Sequence, residues 1–234
     1  MKYLYLDETT STNNYAKNNI SSIEDRTIIY TSKQTQGRGR FNRIWIDLGN
    51  ENLFLSIILK PSDRICANYS NLTQYTALKL AQTFETYNVS PEIKWPNDIL
   101  INGKKISGIL AEAVTKNNQL SGLIIGVGIN LNAKKEDFSK IDKLATALNI
   151  ETNKKIDKQL FLEKFIENFF TDYENFLSQG FELIKNDYKK YISFLGKEIT
   201  INNLDTTITG IAEAITEDGA ILINGEKYFT GDII

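Results

Sequence analysis

Apolar positions along the chain fall into two regimes. Up to about residue 132, short apolar runs alternate with polar turns. Residues 2–7 (KYLYLD) and 26–33 (RTIIYTSK) alternate with a period of two, the signature of half-buried strands. Residues 52–60 (NLFLSIILK), 92–95 (EIKW) and 120–132 (LSGLIIGVGINLN) are apolar runs of strand length, the first two ended by Pro61 and Pro96. Residues 98–114 (DILINGKKISGILAEAV) predict a hairpin, because Asn102-Gly103 supplies the positive φ angles of a tight turn. Two helices interrupt the strands. One is short, over 11–19 (STNNYAKNN), with Ser11 or Thr12 as N-cap. The other spans about 68–87, with Leu72, Tyr75, Leu78, Ala81 and Phe84 on one side.

Beyond that point the period changes. Residues 158–180 read as one long amphipathic helix whose core stripe is Leu160, Phe161, Phe165, Phe169, Phe176 and Leu177, with Gly180 as C-cap. A short helix follows over 181–191. The tail from about Gly196 is all short strands, with turns at Asp218-Gly219 and Asn224-Gly225. The pattern predicts an α+β fold: a mixed sheet flanked by helices, and a small β-barrel or sandwich of about forty residues. So small a unit has too little core to be stable alone and should pack on the main body.

One stretch has no period. Lys33 to Trp45 is irregular, long for a plain connection inside a compact domain, and so suggests a functional loop. It also holds Arg38, Arg40 and Arg43, three of the five arginines in the chain, the others being Arg26 and Arg64. Lysine supplies the rest of the positive charge, so this segment asks for a planar, forked, permanently charged donor. From Arg26 to Ile46 there is no acidic residue, and Gly37 and Gly39 let backbone approach a ligand. Phosphate or carboxylate suits such a place. The net charge of -2 argues against a general nucleic-acid coat. Phe41 and Trp45 interleave with the arginines as in single-strand nucleic-acid binders, and that remains a rival reading.

Composition narrows the chemistry. A chain without histidine has no Ser-His-Asp or Cys-His catalysis and no imidazole-held zinc. Positioning and fixed charge remain, and transfer at phosphorus runs largely on those. The lone Cys66 excludes an intrachain disulfide and reads as a small buried residue. No signal-peptide pattern or membrane-length apolar run is present, so the expected compartment is the cytoplasm. The segment Gly37–Asn42 lacks the third glycine of a dinucleotide fingerprint, and Lys105 stands where a P-loop needs Ser or Thr. A second constellation lies at 94–110 (KWPNDILINGKKISGIL). Pro96 restricts Trp95 to extended backbone, Asn97 and Asp98 sit at the hairpin mouth, and Gly108 marks a close approach. The bland alternative is a packed Trp-Pro corner with Asp98 starting a turn. Asn130 ends its strand, as an adenine reader or as a turn residue.

Taken in order, STNNYAK, QTQGRGRFNRIW, KWPNDI, KKISGIL and GVGINLN resemble the biotin–protein ligases over essentially the whole chain. The resemblance implies a class II synthetase-like mixed sheet over residues 1–190 and an SH3-like domain over 191–234. It implies ATP, Mg²⁺ and biotin as ligands, biotinyl-5′-AMP as intermediate, and the biotin carboxyl carrier domain of acetyl-CoA carboxylase as acceptor. The chain resembles the ligase-only type without a DNA-binding domain, whose members are monomers or homodimers. Residue by residue, it implies biotin contacts at Ser11, Thr12, Asn13, Gln34, Gly37, Arg38, Arg40, Lys105 and Gly108. It implies adenylate contacts at Arg38, Arg40, Arg43, Trp45, Asn97, Lys105 and Asn130, with Arg40, Lys105 and Asp98 catalytic. Asp98 is a candidate to hold Mg²⁺ through phosphate or to deprotonate the acceptor lysine. Asn42 and Gln36 depart from the glycine and alanine usual in the family, without touching the charge pattern. Lipoate–protein ligases share the fold and the adenylation chemistry, but usually carry a histidine in their corresponding motif.

Overall fold

The computed structural model describes the chain except residues 50, 63, 64, 66, 67, 141–143, 204 and 205, and the side chains of Asn42 and Lys140. Cys66 and Arg64 therefore lie outside the described residues.

A seven-stranded sheet organises the main body. Its strands are β1 (Lys2–Tyr5), β2 (Thr27–Thr31), β3 (Leu53–Leu59), β4 (Pro91–Lys94), β5 (Asp98–Ile101), β6 (Lys104–Lys116) and β7 (Gln119–Ile129). They lie in the order β1-β2-β3-β7-β6-β5-β4. Only β1 and β2 pair parallel, so the sheet is mixed. The β5–β6 turn is the expected one, with φ of 52° at Asn102 and 71° at Gly103.

The two faces of the sheet have different jobs, and the period of two assigns them. Leu53, Leu55, Ile57 and Leu59 of β3, with Leu123, Ile125, Val127 and Ile129 of β7, enter the main core. There they meet α2 (Leu72–Glu85), whose expected apolar stripe is fully buried. The opposite face packs α1 (Thr12–Asn18) through Ala16, Ile29, Ile58 and Ile124. Its apolar packing against α1 is concentrated at one end. Toward the other it presents Ser56 and three glycines, Gly108, Gly126 and Gly128, and the site is built there.

The expected long helix is two helices. After α3 (Leu148–Thr152), α4 covers Lys158–Thr171 and α5 covers Tyr173–Gln179, with Asp172 between them at φ -110°, ψ 9°. The Lys79 ammonium, itself buried, reaches the Asp172 carboxylate at 2.5 Å, fixing the break by a tertiary contact that no helical period records. Phe161, Phe165, Phe169 and Phe176 are buried as expected, but Leu160 is 46% exposed. It lies one position before the buried row, which rotates it about 100° off the core-facing stripe. Asp157 caps α4 by accepting from Leu160 N. Gly180, at φ 64°, closes α5, and α6 (Phe181–Lys190) begins directly after it.

The tail forms a five-stranded antiparallel sheet of β8 (Glu198–Asn203), β9 (Thr206–Ile215), β10 (Ile221–Ile223), β11 (Glu226–Tyr228) and β12 (Asp232–Ile233). Its order is β11-β10-β9-β8-β12. The two-residue β12 is too short to leave a periodic signal. Ile199, Ile201, Ala212, Ile215, Ile221 and Ile223 belong to the same apolar cluster as the main core, so the small unit is docked as its size requires. Trp95, 2% exposed, sits at this junction with its indole N–H 3.4 Å from Gly219 O. The packed-corner reading thus describes Trp95, whose peptide bond to Pro96 is cis.

Candidate active site

The floor of the site is backbone. In the sheet, Ser56 pairs with Gly126, and Gly128 pairs with both Phe54 and Gly108. These residues form short cross-strand rows on the face away from the main core, and glycine removes the side chains that would fill the space above it. The space is occupied at van der Waals distance. A Cβ at Gly126 would lie 2.3 Å from Asn13 Oδ1. A Cβ at Gly108 or Gly128 would lie 2.7 or 2.8 Å from the Trp45 ring.

At one end stands a polar cluster supplied by α1. Thr12 donates from its backbone N to Gln34 Oε1 at 2.8 Å. Ser56 Oγ lies 2.8 Å from Thr12 Oγ1 and 2.6 Å from Asn13 Oδ1. Asn13 Nδ2 donates to Glu112 Oε2 at 2.8 Å and to Leu110 O at 3.2 Å, so its amide is held on both sides. Gln34 is fixed in turn because its backbone N donates to Asp47. Burial pushes the Asp47 carboxyl up, while its hydrogen bonds from Gly49 N and Gln34 N pull it down. Ser11 occupies the cap position of α1 without a side-chain cap bond, which leaves its hydroxyl to the cavity.

The arginine segment folds back on itself over this floor. Trp45 N donates to Gly37 O, Gly39 N to Arg43 O, and Arg38 bridges Ile44. A Cβ at Gly37 would lie 2.6 Å from Trp45 O, so this glycine permits the fold-back and does not itself line the cavity. Arg40–Asn42 form one 3-10 turn, with Phe41 in the left-handed region at φ 54°. That is unfavourable for a bulky residue. Two guanidiniums against its ring, Arg40 at 4.8 Å and Arg43 at 5.7 Å from the centroid, hold it there.

Each arginine is matched to a carboxylate. Arg38 Nη2 reaches both Glu112 oxygens, at 3.0 and 2.9 Å. Arg40 and Arg43 both reach Asp232 of the small domain. Arg40 also donates to Asn97 Oδ1 at 3.0 Å, and burial lowers its pKa against the raising effect of Asp232 and Asp98. Lys105 extends from β6 to Asp98 at 2.7 Å, with its ammonium 5.3 Å from the Trp45 centroid. Asn97 braces this corner, donating to Asp98 and to Ile109 O. Asn130 donates to Thr146 O, which ties the end of β7 to the segment leading into α3. Together these groups enclose a cavity of about 320 Å³, lined by every expected site residue except Gly37. The indole N–H of Trp45 is buried and finds no acceptor among the described residues. The lining carries four cations, Arg38, Arg40, Arg43 and Lys105, beside the carboxylates of Asp98 and Asp232, and with the unpaired indole donor it suits a ligand that brings anionic and acceptor atoms.

Residues 3–130 match the Biotin/lipoate A/B protein ligase family, and residues 194–233 match the Biotin protein ligase C terminal domain. The chain belongs to the biotin/lipoate A/B protein ligase family. Within it, the chain is 32% identical to the bifunctional ligase/repressor BirA of Bacillus subtilis, over 97% of this chain and 71% of that protein. It is 28% identical to the biotin–[acetyl-CoA-carboxylase] ligase of Paracoccus denitrificans, over 94% of this chain and 93% of that one. The biotin protein ligase of Aquifex aeolicus, solved in complex with biotin and ATP, superposes with a TM-score of 0.86 at 27% identity, covering 100% and 97% of the two chains. The architecture is thus the biotin ligase fold, with a C-terminal SH3-like domain.

Glu112, Ser56, Gly126, Gly128 and Asp232 were not picked out by residue type. The glycines carried a readable signal, since Gly122, Gly126 and Gly128 fall at even spacing on one face of a strand. Asp232, in a tail of ordinary turns, carried none.

Proposed function

We propose that the chain is a biotin–protein ligase. It condenses biotin with Mg·ATP to biotinyl-5′-AMP and pyrophosphate, then passes the biotinyl group to a lysine of a biotin carboxyl carrier domain of acetyl-CoA carboxylase. Residues 1–190 are taken as the catalytic unit and 191–234 as the small domain. The single observation that carries this reading is the sequence of surfaces along one cavity: fixed amide and hydroxyl groups, then a glycine floor under an indole, then cations.

The neutral ureido ring of biotin takes the end held by Ser11, Thr12, Asn13 and Gln34. Burying such a ring costs free energy unless each polar atom is paired, and Thr12, Asn13 and Gln34 are already immobilised by their neighbours. The apolar tail of biotin runs beside the Trp45 indole that packs on Gly108 and Gly128. Its carboxylate meets Lys105 and Arg40, with Arg38 closing from above, and the nucleotide meets Arg43, Trp45, Asn97 and Asn130. In the first step the carboxylate oxygen bonds to the α-phosphorus and pyrophosphate leaves. In the second the lysine amine bonds to the acyl carbon and AMP leaves. The folded-back arginine segment keeps water from the mixed anhydride.

Among the described residues there is no cluster of three or more His, Cys, Asp or Glu side chains that could hold a metal ion. The donor set fits an ion carried in on phosphate, with Asp98 as the residue that would hold it. When bound, such an ion offsets the negative charge of the phosphates.

The direct test is mass spectrometry of the protein incubated with biotin and Mg·ATP, looking for retained biotinyl-AMP and then for transfer to a carrier domain. Titration with biotin and with lipoate separates the two activities of the family, and tight binding of lipoate alone would end the proposal. Lys105→Ala is expected to slow adenylate formation about tenfold, the scale of one lost charge-assisted hydrogen bond. If adenylate formation held and only the lysine transfer slowed, Lys105 would belong to the second step.

A further inference from the structure

Three consecutive residues of the small domain converge on one guanidinium. Thr230 Oγ1 accepts from Arg40 Nη2 at 3.1 Å, while Gly231 O and Asp232 Oδ1 accept from Nη1 at 3.0 and 2.8 Å. Asp232 Oδ2 takes Arg43 as well. The Arg40 and Asp232 side chains are only 16% and 15% exposed, so the pair is shielded and the contact is geometrically tight. The corner is built to hold this shape. Gly231 has φ 135°, and a Cβ on it would fall 2.3 Å from Ile201 of β8. Asp232 then pairs with Asn202 of the same strand. From the other side, Asn97 Oδ1 accepts from the same Nη1.

We propose, on the ligase reading above, that Asp232 is a positioning residue. Its carboxylate aligns Arg40 and Arg43 for the adenylation step, so that docking of the small domain sets the arginine segment. The physical reason lies in the planarity of the guanidinium. With Nη1 held by three acceptors, the plane of Arg40 is fixed and the direction of its remaining N–H groups is fixed with it. Arg40 lines the cavity together with Asp98 and Lys105. A free arginine would have to be ordered at the moment of reaction, whereas this one is ordered before substrate arrives. A simple inter-domain ion pair would contribute to stability and leave turnover alone.

The test uses the full chain with Asp232→Asn and Asp232→Glu. In wild type, biotin-dependent pyrophosphate release gives kcat and KM. Asp232→Asn is expected to lose about tenfold or more in kcat while its KM for biotin stays within about threefold, since the lost effect acts on the transition state. Asp232→Glu keeps the charge and is expected to stay within about threefold of wild type in kcat. Limited trypsin digestion without nucleotide gives a second reading. Cleavage after Arg40 and Arg43 is expected to speed up in Asp232→Asn, with cleavage outside the arginine segment unchanged. A folded Asp232→Asn with wild-type kcat overturns the proposal, and so does Asp232→Glu as slow as the amide. Should Asp232→Asn not fold, Asp232→Glu decides alone: retained kcat and protected Arg40 support the alignment, and their loss despite retained charge overturns it. If wild type releases no pyrophosphate, the ligase reading fails. The digestion alone then judges Asp232, and equal cleavage after Arg40 in both proteins overturns it.

Discussion

Arg40→Ala is expected to slow biotinyl-adenylate formation by about 10²–10³, the scale of removing one preorganised donor from a developing charge. Two effects add at this position. The first is direct on the proposed reading: a fixed cation is lost from the place proposed for the carboxylate and phosphate. The second is organisational. Arg40 gathers Asn97, Thr230, Gly231 and Asp232, and supports Phe41 in its left-handed conformation. Truncation leaves Asp232 with Arg43 alone and frees the turn that closes the cavity. Single-turnover pyrophosphate release measures the first step without the second. A change below about threefold would show that the guanidinium is not part of the activating machinery.

Gly126→Val is expected to weaken biotin binding by about tenfold or more and, separately, to lower stability by about 1–3 kcal/mol through overpacking. The argument is steric. A Cβ at residue 126 would meet Asn13 Oδ1 at 2.3 Å. Asn13 has little room to yield, because Ser56 holds one end of its amide and Glu112 and Leu110 O hold the other. The new side chain therefore displaces the polar end of the slot or fills it. Isothermal titration with biotin checks this, alongside thermal unfolding to register the strain. Unchanged affinity would place the ureido ring elsewhere.

Much of this molecule was legible before its structure. Alternation located β1 and β2, apolar runs located β3, β4 and β7, and Asn102-Gly103 and Asn224-Gly225 located turns. Those signals are local: a half-buried strand or a tight turn must satisfy its own chemistry within a few residues. The single helix expected over 158–180 failed for the opposite reason. Its phenylalanine row is continuous, but the break at Asp172 is held by Lys79, 93 residues away. Leu160 misled because its type suits the core while its angle on the helix does not.

The arginine segment shows the same division. Its composition announced an anion site, and the absence of histidine narrowed the chemistry to fixed charge and positioning. The sequence by itself determined this set of tools and the two-part architecture, because composition and period are properties of the chain. Only the tertiary structure decided which carboxylate each arginine meets and which glycines share a floor. Arg40 and Asp232 stand 192 residues apart, and no local rule couples them. Gly108 and Gly128 matter as a pair because β6 and β7 place them side by side under one indole. Such contacts depend on strand order and domain docking, which the whole chain settles through its buried apolar surface.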